Sequence, residues 1–354
     1  VGGARLDRRM NRLTLVPDAT LTSRHPRITV DGLLEEFVPP PHFDAVSFAN
    51  YLPDPAEPTQ AAAVAALEAF SRRLDEPAAR RGIFRRAAPP ESRAGVYLDG
   101  GFGVGKTHLL ASLWHSAPGP KRYGTFVEYT NLVGALGFRT AVEALKAARL
   151  VCIDEFELDD PGDTVLMSTL LGELVSSGVS LAATSNTLPD RLGEGRFAAD
   201  DFLREIQGLS AHFDVLRIEG EDYRHRGLPE APEPLSDDEV RRRAAAVTGG
   251  VVDEFGPLLQ HLTHVHPSRY GALVQGVSVL GLVGVRTVTD QASALRLVVL
   301  VDRLYDRDVP VLASGVALDH LFAADLLRGG YRKKYFRAVS RLVALARDGQ
   351  AMVG

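Results

Sequence analysis

One octapeptide constrains the fold of this chain more than any other stretch. Its sequence, GGFGVGKT, matches the pattern G-x-x-x-x-G-K-[ST] and stands between an apolar run and an amphipathic segment. Glycines allow the tight turn that points successive N–H groups at phosphate oxygens. In such loops the lysine reaches the β- and γ-phosphates and the last hydroxyl ligates Mg²⁺. The sequence therefore predicts an ATP and Mg²⁺ site at Gly100, Gly101, Phe102, Gly103, Val104, Gly105, Lys106 and Thr107.

Short apolar runs alternate with helical patterns on either side of this loop. Strands are predicted at 95–99, 125–129, 149–154, 179–184 and 213–218. Helices are predicted at 106–115, 130–147, with a break at Gly137, and 162–177. This alternation indicates an α/β fold, a P-loop NTPase parallel sheet flanked by helices.

Two carboxylates follow the buried strand that ends near residue 154. Ligands bind at the carboxyl ends of strands in open α/β sheets, so Asp154 is predicted to hold Mg²⁺. Glu155 is predicted to orient or deprotonate the attacking water. Asn186 follows the next apolar strand and is predicted to hydrogen-bond the water or the γ-phosphate. The alternative for Asn186 is a turn residue before Pro189.

Positive charge must also meet the departing phosphoryl group, and an arginine commonly supplies it. Arg196 and Arg204 are the candidates from the core, with Arg196 preferred. Arg337 and Arg341, on a basic helix predicted at 331–347, are candidates for a contact from a lid.

Composition breaks divide the chain into five parts. We predict a flexible leader at 1–45, a helical segment at 46–90, the ATPase core at 91–228 and a linker at 229–240. The last part, 241–354, is predicted as a smaller, mostly helical α+β, lid-like region with a strand at 309–313.

Composition also bears on the location of the protein. Cys152 is the single cysteine, so no internal disulfide can form. The longest apolar stretch, 273–285, is too short and too interrupted to span a bilayer. We therefore expect a cytoplasmic protein with no integral membrane segment.

Several motifs outside the loop occur together: CIDEF at 152–156, ATSNTLP at 183–189, DYRHR at 222–226 and LYD at 304–306. From about Pro40 to the C-terminus the chain resembles the ZapE (AFG-one-like) ATPases. The resemblance implies an AAA-like core, a homo-oligomer and ATP-driven remodelling of a protein client. Because bacterial members are cytosolic cell-division factors linked to the FtsZ ring, it also implies FtsZ as a partner.

One departure from that family concerns the arginine that acts between subunits. The family has a longer Gly-Leu-Gln-Arg-x-Arg-Phe stretch, of which only Gly195-Arg196-Phe197 stands here. Arg196 matches the final Arg-Phe, so the resemblance implies Arg196 as the trans-acting arginine. The shortening leaves its reach open.

Other functional classes stay open as alternatives. The run GKTHLL at 105–110 is similar to the P-loop of replication initiators and helicase loaders, a nucleic-acid-linked class. The net charge of −5 and the lack of a recognisable helix-turn-helix argue against that class. An ATP-binding adaptor with little turnover is a third class, against which Glu155 and Asn186 argue.

Two further clusters have ordinary explanations. His261, His264 and His266 lack a nearby cysteine, and helix-face histidines explain them better than zinc. Arg332, Lys333 and Lys334 stand among aromatics that stack bases in some proteins. A helix with inward aromatics and solvated charges explains them equally well.

Overall fold

The computed structural model describes residues 20–27, 29–75, 94–101, 103–158, 161–192, 202–220 and 230–352. Phe102 and Arg196, two of the predicted site residues, lie outside them. Among the described helices, none is long and apolar enough to cross a bilayer.

A five-stranded parallel sheet forms the core. Its order is β2-β3-β4-β1-β5, with β1 at Gly95–Gly100, β2 at Lys121–Thr125, β3 at Leu150–Asp154, β4 at Ser180–Ser185 and β5 at Phe213–Ile218. Every side chain of β3 is buried, as expected for a strand covered on both faces. The predicted parallel sheet is therefore confirmed.

Helices cover both faces of the core sheet. On one face lie α2 (Pro58–Asp75) and α3 (Lys106–Ser116), which pack against Leu98 and Cys152. On the other lie α4 (Phe126–Leu136), α5 (Phe138–Lys146), α6 (Pro161–Ser176) and α7 (Leu203–Ser210). Successive strand residues point to opposite faces, so Val151 and Ile153 pack with this second group.

The strand predicted at 125–129 is wrong. The strand β2 ends at Thr125, and α4 begins at the next residue. Thr125 caps this helix: its hydroxyl accepts from Glu128 N at 3.3 Å, and Glu128 Oε2 accepts from Thr125 N at 2.5 Å. This capping box outweighs the strand propensity of the apolar run behind it. The predicted break at Gly137 is confirmed, with φ at 77°.

The C-terminal region is mostly helical, as predicted, around a second parallel sheet of order β6-β7-β8. The strands are Gly250–Glu254, Val279–Val285 and Val311–Gly315. The helices are α8 (Asp237–Ala245), α9 (Phe255–His264), α10 (Tyr270–Leu273), α11 (Gln291–Asp306), α12 (Ala324–Arg328) and α13 (Arg332–Ala351). The sequence predicted one strand here, two residues early; β6 and β7 were not predicted.

The first described residues join the two sheets. Leu21 is fully buried in the C-terminal region, and its N–H donates to Asp253 Oδ2 at 2.7 Å. A short helix, α1 (Val30–Leu34), and Phe37 pack instead against the core, where Phe37 O accepts from Tyr123 N at 3.0 Å. We call residues 20–27 and 29–37 the N-terminal strap. Within the leader predicted for 1–45, the strap is thus packed against both regions.

Candidate functional site

The loop between β1 and α3 turns on two glycines with positive φ. Gly103 has φ of 86° and Gly105 has φ of 85°, a conformation that glycine adopts without strain. A Cβ at Gly105 would lie 2.6 Å from the ring of Tyr51, so no side chain fits there. The Tyr51 hydroxyl also donates to Val104 O at 2.9 Å. The N-terminal part of the chain therefore fixes the back of this loop.

Lys106 begins α3 and folds back over the loop. Its Nζ donates to Gly100 O at 2.8 Å, to Gly101 O at 2.5 Å and to Asn186 Oδ1 at 2.8 Å. Asn186 in turn donates to Glu157 Oε1 at 3.4 Å. The structure thus brings the predicted lysine and the predicted amide together, at the carboxyl ends of two neighbouring strands.

Asp154 is buried at the end of β3 with both oxygens engaged. Its Oδ1 accepts from the Thr107 hydroxyl at 3.3 Å and from the Thr184 hydroxyl. Its Oδ2 accepts from the Tyr123 hydroxyl at 2.8 Å. Burial, and then the charge of Glu155, raises the pKa of Asp154, although these hydrogen bonds oppose the rise.

The donor set around Asp154 suits a hard divalent cation. The two residues predicted to hold Mg²⁺, Thr107 and Asp154, are in contact, and both offer oxygen. A buried carboxylate whose anionic form is disfavoured gains from a neighbouring cation. These residues therefore fit Mg²⁺.

Glu155 has an unusual backbone. Its φ of 52° lies in the left-handed region, which is uncommon outside glycine and is often found at functional sites. Its N–H donates to Thr184 Oγ1 at 3.0 Å and to Asp154 Oδ1 at 3.1 Å. These two bonds fix the backbone of Glu155 at the end of β3.

An arginine from the C-terminal region meets this side chain. Arg337 of α13 donates through Nη1 to Glu155 Oε2 and through Nη2 to Asp302 Oδ2, the second at 3.1 Å. Burial lowers the pKa of Arg337, but Glu155 and Asp302 raise it more, so it stays above its ordinary value. Arg341 bonds Asp302 Oδ1 at 2.6 Å and stacks on Tyr305. Of the two predicted lid arginines, Arg337 reaches the site.

A cavity of about 350 Å³ opens beside the loop. Gly100 and Gly101 line one side of it, and Asn186 lines another. Arg191, Arg217 and Asp99 also line it, and Asp99 pairs with Arg217 at 3.0 Å, so the space next to the predicted phosphate site contains charges of both signs. Arg204, a predicted candidate, lies exposed on α7.

Besides Tyr123, Glu157 and the two arginines of the cavity, sequence reasoning missed four residues that hold this site. Tyr51 buttresses the loop, and Gln60 bonds Glu219 O at 2.9 Å beside it. Thr184 binds Asp154, and Asp302 binds Arg337. Thr184 was visible as the first polar residue after an apolar strand; the other three had no local signal.

The predicted histidines make hydrogen bonds within the chain. Among the described residues, no group of three potential metal ligands comes together. His261 bonds Arg24 O at 2.9 Å and His266 bonds Ser268 Oγ at 2.8 Å. Burial raises the pKa of Cys152 well above its usual value, so its thiol stays protonated and unreactive.

Known proteins resemble this chain in sequence. A family model described as AFG1-like ATPase matches residues 29–239 and 230–351. The cell division protein ZapE of Escherichia coli K12 is 29% identical over 293 residues, which cover 70% of this chain and 76% of that protein. An uncharacterized protein of Schizosaccharomyces pombe is 24% identical over 160 residues, covering 38% of this chain and 34% of that protein.

Solved structures resemble it in part. The structure of AMPPCP-bound DnaA from Aquifex aeolicus matches 51% of this chain and 51% of its own, with 14% identity and a TM-score of 0.37.

Proposed function

Because the chain belongs to the AFG1-like ATPase family, we propose that it hydrolyses Mg²⁺-bound ATP at the β1–α3 loop and uses the cycle to remodel a protein partner in cell division. One observation carries the site: Lys106, Thr107, Asp154, Glu155 and Asn186 converge at the carboxyl ends of β1, β3 and β4. That is the edge where ligands bind in parallel sheets.

Each residue has a chemical role in this proposal. The loop N–H groups and Lys106 bind the phosphates, and Thr107 and Asp154 hold Mg²⁺, which supplies charge neutralisation when bound. Glu155 accepts the proton of the attacking water, and Asn186 orients the water or the γ-phosphate. Arg196, in a neighbouring subunit of a homo-oligomer, offsets the charge of the departing phosphoryl group.

The partner is proposed from the relatives. The E. coli protein named for cell division aligns with 70% of this chain, and the family resemblance implies the FtsZ ring. We therefore propose FtsZ, or a protein bound to it, as the client in the cytoplasm. The net charge of −5 disfavours nucleic acid.

A trapping experiment tests the proposal. Glu155→Gln should bind ATP without cleaving it and so hold its client, whereas Lys106→Ala should not bind ATP. Each is purified from cells with its bound proteins. FtsZ-ring proteins should be enriched on Glu155→Gln. Equal recovery on both variants, or recovery of neither, would reject the client proposal.

A nucleic-acid-linked ATPase is the second candidate. Arg332 and Lys333 lie exposed at the start of α13, next to Phe336, which is 39% exposed. Binding through such residues weakens steeply as salt rises. We expect weak DNA binding and no stimulation of ATP turnover. Tight, salt-sensitive binding lost on neutralising Arg332, Lys333 and Lys334 would favour this candidate instead.

A further inference from the structure

The carboxylate of Asp302 lies between two arginines of α13. Its Oδ2 accepts from Arg337 Nη2 at 3.1 Å and its Oδ1 accepts from Arg341 Nη1 at 2.6 Å. About a fifth of the Asp302 side chain is exposed, and about a quarter of each arginine. We call these three residues the α11–α13 ion cluster.

The α11–α13 ion cluster contacts the end of β3 through Arg337. Arg337 uses its second terminal nitrogen on Glu155, the residue after β3, and its Nε finds no acceptor among the described residues. Glu155 and Asp302 are therefore the two acceptors that orient the guanidinium. One of them is the predicted base, and the other belongs to the C-terminal region.

Charge explains why Asp302 matters for this orientation. Arg337 and Arg341 stand one helical turn apart on α13, so their charges repel each other. Asp302 offsets both charges, and its two oxygens fix the orientation of both guanidinium groups. Without its charge, Arg341 and the flexible stem of Arg337 would take other rotamers.

A second ion cluster on α11 contains Arg303 and Asp306 and does not include Asp302. There Arg303 pairs with Glu128 of α4 and lies 3.5 Å from Asp306. Asp306 is as covered as Asp302, at 19% against 20% exposed. This second cluster also joins the two regions, but among the described residues its acids pair with Arg303 and not with Arg337. Asp306 shares the charge environment of Arg341 but pairs with Arg303 instead of Arg337, and it therefore serves as the control for Asp302.

We infer that Asp302 is a positioning residue for ATP hydrolysis: it holds Arg337 against Glu155 at the end of β3, where the terminal phosphate is attacked. The inference rests on the proposed ATPase site. Arg337 is the group through which Asp302 acts.

Steady-state kinetics give the first test. Outer partners that orient a functional group commonly contribute about 10- to 100-fold in activity, so Asp302→Asn should lower kcat by at least about 10-fold. The KM for ATP should change less, because the loop and Lys106 are untouched. Asp302→Glu should recover part of the loss, and Asp306→Asn should keep the parental kcat at pH 7.5. Equal losses in Asp302→Asn and Asp306→Asn would overturn the inference.

A double-mutant cycle separates positioning from a general structural role. Arg337→Met removes the guanidinium through which Asp302 is inferred to act. In that background Asp302→Asn should cause no further loss of kcat. The same fold-loss in both backgrounds would mean that Asp302 acts by another route, and the inference would fall. Urea unfolding of all four proteins shows whether each remains folded at the assay temperature.

Different results would reject the proposed ATPase function and the role of Asp302. If the parental protein shows no ATP turnover that depends on Lys106, the proposed site and this inference both fall. If turnover depends on Lys106 but the cycle is additive, only the role of Asp302 falls. If the cycle is non-additive and no client is trapped, the inference stands and the proposed client is rejected.

Discussion

The five-stranded sheet of the core and the three-stranded sheet of the C-terminal region are both built from parallel strands joined by helices. In the core, the turns after β1, β3 and β4 leave a glycine loop, two carboxylates and an amide facing one another. In the C-terminal region the corresponding end is closed. Gly315, the last residue of β8, presses against the backbone of Val285, and buried Ser314 bonds Asp237.

The C-terminal region contributes to the site from its helices instead. Arg337 and Asp302 stand on α13 and α11, which pack on one face of the small sheet and also meet the core. A parallel sheet therefore does not imply a binding site at its strand ends; the turns after the strands decide. The proposed phosphate site lies at the strand ends of the core, and the helices on the second sheet carry Arg337, which contacts Glu155.

The largest effect should come from Lys106→Ala. The variant loses the charge that binds the phosphates, so turnover should fall by at least about 10³-fold. Lys146→Ala, which removes a lysine paired with Glu143 and Glu173 on the surface, is the control and should stay active. The measurement is phosphate release under saturating ATP. Parental ATP turnover in Lys106→Ala would mean that the β1–α3 loop is not the ATP site, and the proposed difference between the two sheets would then be wrong.

Arg196→Ala tests whether the core site is completed by a second subunit. The variant should bind ATP but lose about 10³-fold in turnover, because the departing phosphoryl charge is no longer offset. Mixed with Glu155→Gln, it should recover activity, since mixed assemblies pair an intact Arg196 with an intact Glu155. If the variants co-assemble and no activity returns, Arg196 does not act in trans.

Glu155→Gln should separate binding from chemistry at the core strand end. Gln keeps a hydrogen-bond acceptor for Arg337 but loses the base, so turnover should fall by about 10²-fold or more. ATP binding, followed by equilibrium dialysis, should survive. Asp154→Asn should instead weaken the dependence of turnover on Mg²⁺. Parental rates in both variants would remove the roles assigned to these carboxylates.

Gly315→Ala tests the closed end of the second sheet. Gly315 has φ of 97°, and an added Cβ would lie 2.6 Å from Val285 N. We expect the free energy of unfolding to fall by about 3 kcal/mol. Gly284→Ala, which has φ of 68° and open space around it, should cost only about 1 kcal/mol. Similar urea midpoints for the two variants would show that the strand ends are not tightly closed.

The smallest effect concerns pH and the helices of the second region. Burial raises the pKa of Asp306 from 3.8 to about 6, against the opposing charges of Arg303 and Arg341. Because folding raises this pKa, the protonated Asp306 contributes its full stabilisation below a pH of about 3.8. This contribution is lost as the pH rises through about 6. As the pH rises from 4 to 7.5, the parental protein should therefore lose about 2 kcal/mol in free energy of unfolding relative to Asp306→Asn.

Exposed Asp325, paired with Arg328 on α12, is the control for that measurement. Asp325→Asn should follow the parental protein at every pH. A constant offset between Asp306→Asn and the parental protein would mean that Asp306 titrates at its ordinary pKa.

Local patterns predicted most of the core and little of the second region. The β1–α3 loop, β3 and β4 are marked by glycines and continuous apolar runs, which need no knowledge of distant residues. The strand β7 contains Gly281 and Gly284 and follows a turn, so its apolar run was compatible with several structures. The capping box at Thr125 was a readable signal that the apolar residues after it obscured.

The contacts between the two regions could not be read from the sequence. Arg337 and Glu155 are 182 positions apart, and Asp302 is one of two acids on an ordinary amphipathic helix. Such a pair forms only because the core and the C-terminal region pack against each other. Local sequence propensities carry no information on that packing. The basic helix was predicted as a lid contact, but its acceptors came from the tertiary structure alone.

The N-terminal strap has a consequence for the order in which the chain folds. Leu21 leaves the ribosome 232 positions ahead of Asp253, the residue to which it is bonded. The strands and helices of the core are all synthesised before β6, so the core can fold first, with α1 and Phe37 in place. Leu21 can take its buried place in the C-terminal region only after β6 has been synthesised. The contact between the N-terminal strap and β6 therefore has a high contact order, and such contacts form slowly.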